Sequence, residues 1–147
     1  MTDSRTGWTQ GQFESWDKEK IFFRIWSPPG ARGTLVIIHG FGEHSGRYEK
    51  FASRMEGLPV QIAVMDLRGM GRSGGKRVSA ASMEDYLKDM TAFKVCLERD
   101  FAARVPMILL GHSLGGLLAV EWASRYPESI KTLILTSPFL GLKGLPL

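Results

Sequence analysis

Ser113 stands between two glycines, in Gly111-His112-Ser113-Leu114-Gly115. A serine hydroxyl attacks a carbonyl only when a fold presents it well and a base takes its proton. One presentation is a sharp turn from a strand into a helix, which lifts the hydroxyl clear of the sheet. That turn strains the serine backbone and leaves no room for side chains two residues to either side, hence the glycines. The context fits, because the apolar run Pro106–Leu110 reads as the strand and Leu114–Tyr126 as the helix that starts at once. Ser113 is therefore the candidate nucleophile. The same pattern recurs as Gly71-Arg72-Ser73-Gly74-Gly75, but Lys76-Arg77 and more loop follow it, and the next helix starts only near Ser82. Ser73 fails the test.

A nucleophile of this kind needs donors aimed at the developing oxyanion. His39-Gly40-Phe41-Gly42 lies at the carboxyl end of another apolar run, where such a loop faces the elbow. The expected donors are the backbone N–H groups of Phe41 and Leu114. Leu114 opens a helix, where N–H groups are free and the dipole favours negative charge. Gly40, Gly111, His112 and Gly115 read as supports of the loop and the elbow. His39 reads as a structural histidine that fixes the loop by hydrogen bonds, and His44 has the same reading. Gly69-Met70-Gly71-Arg72-Ser73-Gly74 matches a dinucleotide fingerprint in letters only, since those glycines should open a helix and here meet a loop. It reads instead as a glycine-rich turn anchored by Asp66 and Arg68. Cys96 reads as a buried thiol within a helix. Three histidines and one cysteine without ligand spacing argue against a zinc site.

The elements that must hold these residues follow from the hydrophobic pattern. Gln12–Trp16 and Ile21–Trp26 read as a hairpin joined by Asp17-Lys18-Glu19-Lys20. Thr34–His39, Val60–Asp66, Pro106–Leu110 and Ile130–Thr136 read as strands buried in a parallel sheet. Tyr48–Met55 is a short helix. Ser82–Phe101 is a longer one, with Ser82 and Asp85 as a capping box and Tyr86, Met90, Phe93, Leu97 and Phe101 on one face. Leu117, Leu118, Trp122 and Tyr126 share a face of the third helix, which Pro127 ends. Alternating strands and helices after an antiparallel start predict an α/β fold, mostly parallel, with helices flanking the sheet.

The bulk properties agree with a globular domain. The chain has 147 residues, 44% hydrophobic and 23% charged, with a net charge of +4 spread along its length. That balance excludes a disordered tail and gives no support to nucleic-acid binding. It is compatible with contact at a membrane surface. One cysteine allows no internal disulfide, and no apolar run is long enough to span a bilayer. Met1–Thr9 lacks the apolar stretch of a signal peptide. A cytoplasmic location is expected, in contact with membranes at most at their periphery. Residues 1–11 read as a polar segment and 12–147 as part of one domain.

Three stretches together resemble a known family. His39-Gly40-Phe41-Gly42-Glu43-His44-Ser45-Gly46-Arg47-Tyr48, Asp66-Leu67-Arg68-Gly69-Met70-Gly71-Arg72-Ser73-Gly74-Gly75-Lys76-Arg77 and Gly111-His112-Ser113-Leu114-Gly115-Gly116 stand in that order. They look like the monoacylglycerol lipase and lysophospholipase branch of the α/β-hydrolases, of the serine aminopeptidase S33 or hydrolase 4 type. Met70 departs from the pattern, which more often has histidine or another polar or aromatic residue. The resemblance runs from about Phe13 to Leu147. It implies Ser113 as nucleophile and the N–H groups of Phe41 and Leu114 as oxyanion hole. It implies ester hydrolysis through an acyl-enzyme, without metal or organic cofactor, on monoacylglycerols, lysophospholipids or similar single-chain esters.

The triad is incomplete in this sequence. In this fold the acid and then the histidine follow the serine. After Ser113 the acids are Glu121 and Glu128, and no histidine follows His112. The expectation is the N-terminal part of a hydrolase domain, without the lid and last strands that the resemblance places after Ser137-Pro138. Acid and base would come from the remaining half, in cis or in trans. At most trace esterase activity is expected of these residues alone. The alternatives are a non-catalytic binding module of hydrolase type and one half of a two-chain hydrolase. Ile130–Thr136 would then be an exposed sheet edge.

Overall fold

The computed structural model describes residues 2–3, 7–78, 82–101 and 107–141. Its strands are β1 (Thr2–Asp3), β2 (Trp8–Glu14), β3 (Lys20–Trp26), β4 (Gly33–Ile38), β5 (Val60–Met65), β6 (Met107–His112) and β7 (Ile130–Thr136). They form one sheet in the order β1-β2-β3-β5-β4-β6-β7. The first three and the β3–β5 pair are antiparallel. β5, β4, β6 and β7 run parallel. The apolar runs VIIH and AVM sit in the middle, buried on both faces, as helix-covered parallel strands require.

The helices are α1 (Glu49–Arg54), which follows a 3-10 turn at Ser45–Tyr48, α2 (Met83–Asp100) and α3 (Leu114–Arg125). Strand alternation sends neighbouring side chains to opposite faces. Val36, Ile38, Ala63 and Met65 pack with Met90, Phe93, Leu97, Leu118 and Trp122 of α2 and α3. Leu35, Ile37, Ile62 and Val64 pack on the other face, with Ala52 and Phe51 of α1. Phe13, Phe23, Phe93 and Phe101 form an aromatic cluster in the larger core.

The expected capping box is present in both halves, with Asp85 N–H donating to Ser82 Oγ (3.3 Å) and Ser82 N–H to Asp85 Oδ2 (2.9 Å). Two strands differ from expectation by more than one residue at an end. The first strand of the hairpin is Trp8–Glu14 rather than Gln12–Trp16. Its polar start is held by pairing with β3, and Gly11 lets it pass over the Phe23 ring, 2.7 Å from where a Cβ would lie. The strand before Ser113 extends to His112, because β7 pairs with it through Gly111 and His112. Pro106, expected to open the strand before Ser113, lies outside the described residues.

Candidate active site

The strand–turn–helix around Ser113 forms as its spacing requires. Ser113 adopts φ 52°, ψ −118° between β6 and α3, a region where a side chain is strained. Its backbone is tied on all sides. Its N–H donates to Thr136 O (3.1 Å), and its carbonyl accepts from Gly116 (2.9 Å), Leu117 (3.3 Å) and Phe139 (2.9 Å). Its side chain does not cap the helix and is half-buried. The glycines have their steric reason here. A Cβ on Gly111 would lie 2.7 Å from Gly116 Cα, and one on Gly115 would lie 2.5 Å from His39 O.

The loop after β4 comes up against this elbow. A Cβ on Gly40 would lie 3.2 Å from both Ser113 Cβ and His112 Cδ2. Phe41 follows, its side chain 60% exposed. The peptide between Gly40 and Phe41 is held by its oxygen, which accepts from His39 Nδ1 (2.7 Å) and from Glu43 N–H (3.3 Å). A trans peptide is planar, so a pinned carbonyl fixes the opposite direction of the Phe41 N–H. Leu114 N–H is the first of α3 and has no partner within the helix. The loop at Gly40 and the first turn of α3 thus lie side by side at Ser113.

His39 has both ring nitrogens engaged, and Nδ1 of His112 faces away toward Thr136. His39 is fully buried, donates from Nδ1 to Gly40 O and accepts Leu67 N–H at Nε2 (2.9 Å). Burial pushes its pKa down and keeps it neutral. His112 directs Nδ1 to Thr136, 3.1 Å from the carbonyl and 3.0 Å from Oγ1. His44 lies against Gly46, at the start of the 3-10 turn. Ser73 is buried, donates to Asp66 O (2.6 Å) and accepts Phe22 N–H (2.9 Å), so its hydroxyl is spent on structure. Burial pushes the Cys96 thiol up to about 11.

The glycine-rich turn after β5 braces the loop after β4. Asp66 is buried and accepts Ser45 N–H (2.5 Å) and Arg72 N–H (2.7 Å). Gly71, at φ 50°, leaves room for that carboxylate. Arg68 forks to Asp89 through Nε (2.9 Å) and Nη2 (2.6 Å), and to Asp17 through Nη1 (2.5 Å). Ser15 Oγ adds a bond to Asp89 (2.5 Å). Burial pushes the Asp89 carboxyl up against the pull of Arg68, while Arg68 holds the more exposed Asp17 down. Sequence reading named Arg68 but not its acid partners. It also missed Glu43, whose Oε2 accepts Gly40 N–H (3.0 Å), although an acid three residues after a loop glycine is a readable clasp. A cavity of about 730 Å³ between β2 and α2 is lined by Phe13, Trp16, Lys88 and Val95, and by none of the residues around Ser113.

Comparison with known proteins follows the same lines. Residues 29–146 match the family described as "Serine aminopeptidase, S33". The monoacylglycerol lipase of Mycolicibacterium smegmatis is 34% identical over 120 residues, 81% of this chain and 42% of that protein. The human monoglyceride lipase is 34% identical over 125 residues, 84% of this chain and 41% of that protein. Among solved structures, the Paleococcus ferrophilus monoacylglycerol lipase superposes with a TM-score of 0.69 at 33% identity, covering 82% of this chain and 44% of that one. The chain spans less than half the length of these relatives. No helix among the described residues is long and apolar enough to cross a membrane.

Proposed function

The chain belongs to the serine aminopeptidase S33 family and has the α/β-hydrolase fold, and from that premise we propose that Ser113 is the nucleophile of a carboxylic ester hydrolase acting on single-chain lipid esters. The observation that carries this reading is Ser113 at positive φ on the strand–helix turn, with Gly40 packed across from it. Ser113 Oγ attacks the ester carbonyl, and the Phe41 and Leu114 N–H groups receive the negative charge that moves onto oxygen. The alcohol leaves with a proton, the acyl group stays on Ser113, and water completes hydrolysis. A monoacylglycerol suits the relatives named for that substrate, and it or a lysophospholipid suits the exposed Phe41, Phe139 and Leu140 near the elbow.

The base that takes the Ser113 proton, and the acid that orients it, come from outside these 147 residues. His39 supports this, its two ring nitrogens being committed to Gly40 and Leu67, as does the lack of any histidine after His112. Without them the hydroxyl keeps its proton, and turnover drops by several orders of magnitude. A fluorophosphonate probe tests the assignment. After long incubation at pH 9, peptide mapping should find the adduct on Ser113 and none in Ser113→Ala. Labelling at Ser73 or at a tyrosine instead would overturn it. A chain carrying the base should hydrolyse a monoacylglycerol faster than the matching acyl amide, and the reverse ranking would point to peptide-like substrates.

A further inference from the structure

The site keeps its oxyanion donor in place with a device that the family resemblance does not supply. Phe41 has an exposed side chain, so no packing of its own holds it. Its position rests on the two peptides that flank it. The Gly40–Phe41 peptide is held at its oxygen by His39 and Glu43. The Phe41–Gly42 peptide is held at its nitrogen, because Gly42 N–H donates to the thioether Sδ of Met70 at 3.3 Å. Gly42 has φ 71°, so the chain turns away immediately afterwards. With both planes fixed, Phe41 has little torsional freedom left.

We propose that Met70 is a positioning residue for the oxyanion hole, through its acceptance of the Gly42 N–H. The inference rests on the reading of Phe41 as an oxyanion donor. Met70 suits the role because it is itself immobile. It is 2% exposed, its N–H donates to Leu67 O (2.9 Å), and its carbonyl accepts Ser73 N–H (3.0 Å). The turn around it is fixed by Asp66, which also holds Ser45 N–H of the segment beyond Gly42. Arg68 then ties the turn to α2 and to the β2–β3 hairpin. Met70 is the point at which this framework touches the peptide next to the donor. A thioether is a weak acceptor, so the contact constrains without trapping the loop.

Two measurements on the 147-residue chain test this, with Met70→Leu removing the acceptor at similar volume and Met70→Gln restoring one. Amide hydrogen exchange by NMR needs no reactivity at Ser113. Met70→Leu should speed exchange at Gly42 by about fivefold to tenfold, the worth of one modest hydrogen bond, and leave β4 and β6 unchanged. Met70→Gln should return the Gly42 amide toward the parent. Fluorophosphonate labelling of Ser113 should slow by about tenfold in Met70→Leu, less than the loss of a whole oxyanion donor, and recover in Met70→Gln. Unchanged exchange at Gly42, or faster exchange with undiminished labelling, overturns the positioning role. A parent chain that never labels at Ser113 overturns the nucleophile assignment, and the exchange measurement then decides for or against Met70 by itself.

Discussion

Ser113 holds a backbone conformation that suits glycine, at φ 52° and ψ −118°. That strain costs on the order of 1–3 kcal/mol and survives only because Thr136, Gly116 and Phe139 tie the residue down. Ser113→Gly should therefore stabilise the chain by about 1 kcal/mol relative to Ser113→Ala, since alanine keeps the Cβ and its strain. Equilibrium urea unfolding of the two variants checks this, and equal midpoints would refute it. His39 gives a second prediction at this scale. Its folded-state pKa lies below the ordinary histidine value because burial disfavours the charged ring. The unfolded chain therefore binds a proton near pH 6.5 that the folded one refuses. Stability is fully present above that pH and falls as pH drops below it, with a slope of up to about 1.4 kcal/mol per unit. Nitrogen NMR of the ring should show the Nδ1–H tautomer with a titration midpoint below that of the unfolded chain, and a midpoint at or above it would refute the assignment.

The elements hold the site through contacts between segments far apart in sequence. Arg68 and Asp89 are an almost buried pair, with side chains 9% and 0% exposed. Removing one partner strands the other without water. Arg68→Met should cost about 3–5 kcal/mol. Arg68→Met with Asp89→Leu should recover much of that loss, because a buried ion pair and its apolar replacement are often close in stability. A double-mutant cycle by denaturant unfolding measures the coupling, and additive losses would show that the pair does not act as a unit. These contacts mark the limit of what the sequence makes legible. The central strands and the elbow are written locally, as apolar runs bounded by glycine and a serine at the right step. The capping box at Ser82 is written in four residues. Arg68 meets Asp17 across 51 positions and Met70 meets Gly42 across 28, and neither separation leaves a periodic trace. The start of β2 was illegible for a related reason. Thr9-Gln10-Gly11-Gln12 has no strand pattern of its own, and pairing with the aromatic β3 imposes one. The insertion of β5 between β3 and β4 likewise depends on packing, since it separates strands that are consecutive in sequence.

At the scale of the whole molecule the sheet is unevenly covered. β7 is the last strand on its side, and among the described residues nothing pairs with its outer edge. Its sequence, IKTLILT, carries one charge, Lys131, near one end. Ile134 and Leu135 are 40% and 37% exposed, and Phe139 and Leu140 continue the apolar surface beyond the strand. On the α1 face of the neighbouring β6, Ile108 and Leu110 are only half-buried, because α1 reaches the Ala52 cluster and no further. An extended strand with open N–H and C=O groups beside apolar side chains is a template for another strand. Lys131 is the one charge on the strand, so little repulsion opposes pairing along its edge. The 147-residue chain should therefore associate as concentration rises, through β7. A lysine on the edge costs little in isolation but is expensive to bury against a second strand. Ile134→Lys should thus move the chain toward monomer in sedimentation velocity, while a lysine at exposed Val95 on α2 should not. A parent chain that stays monomeric at every concentration would refute the edge as a contact, and equal effects of the two lysines would reduce it to a matter of net charge.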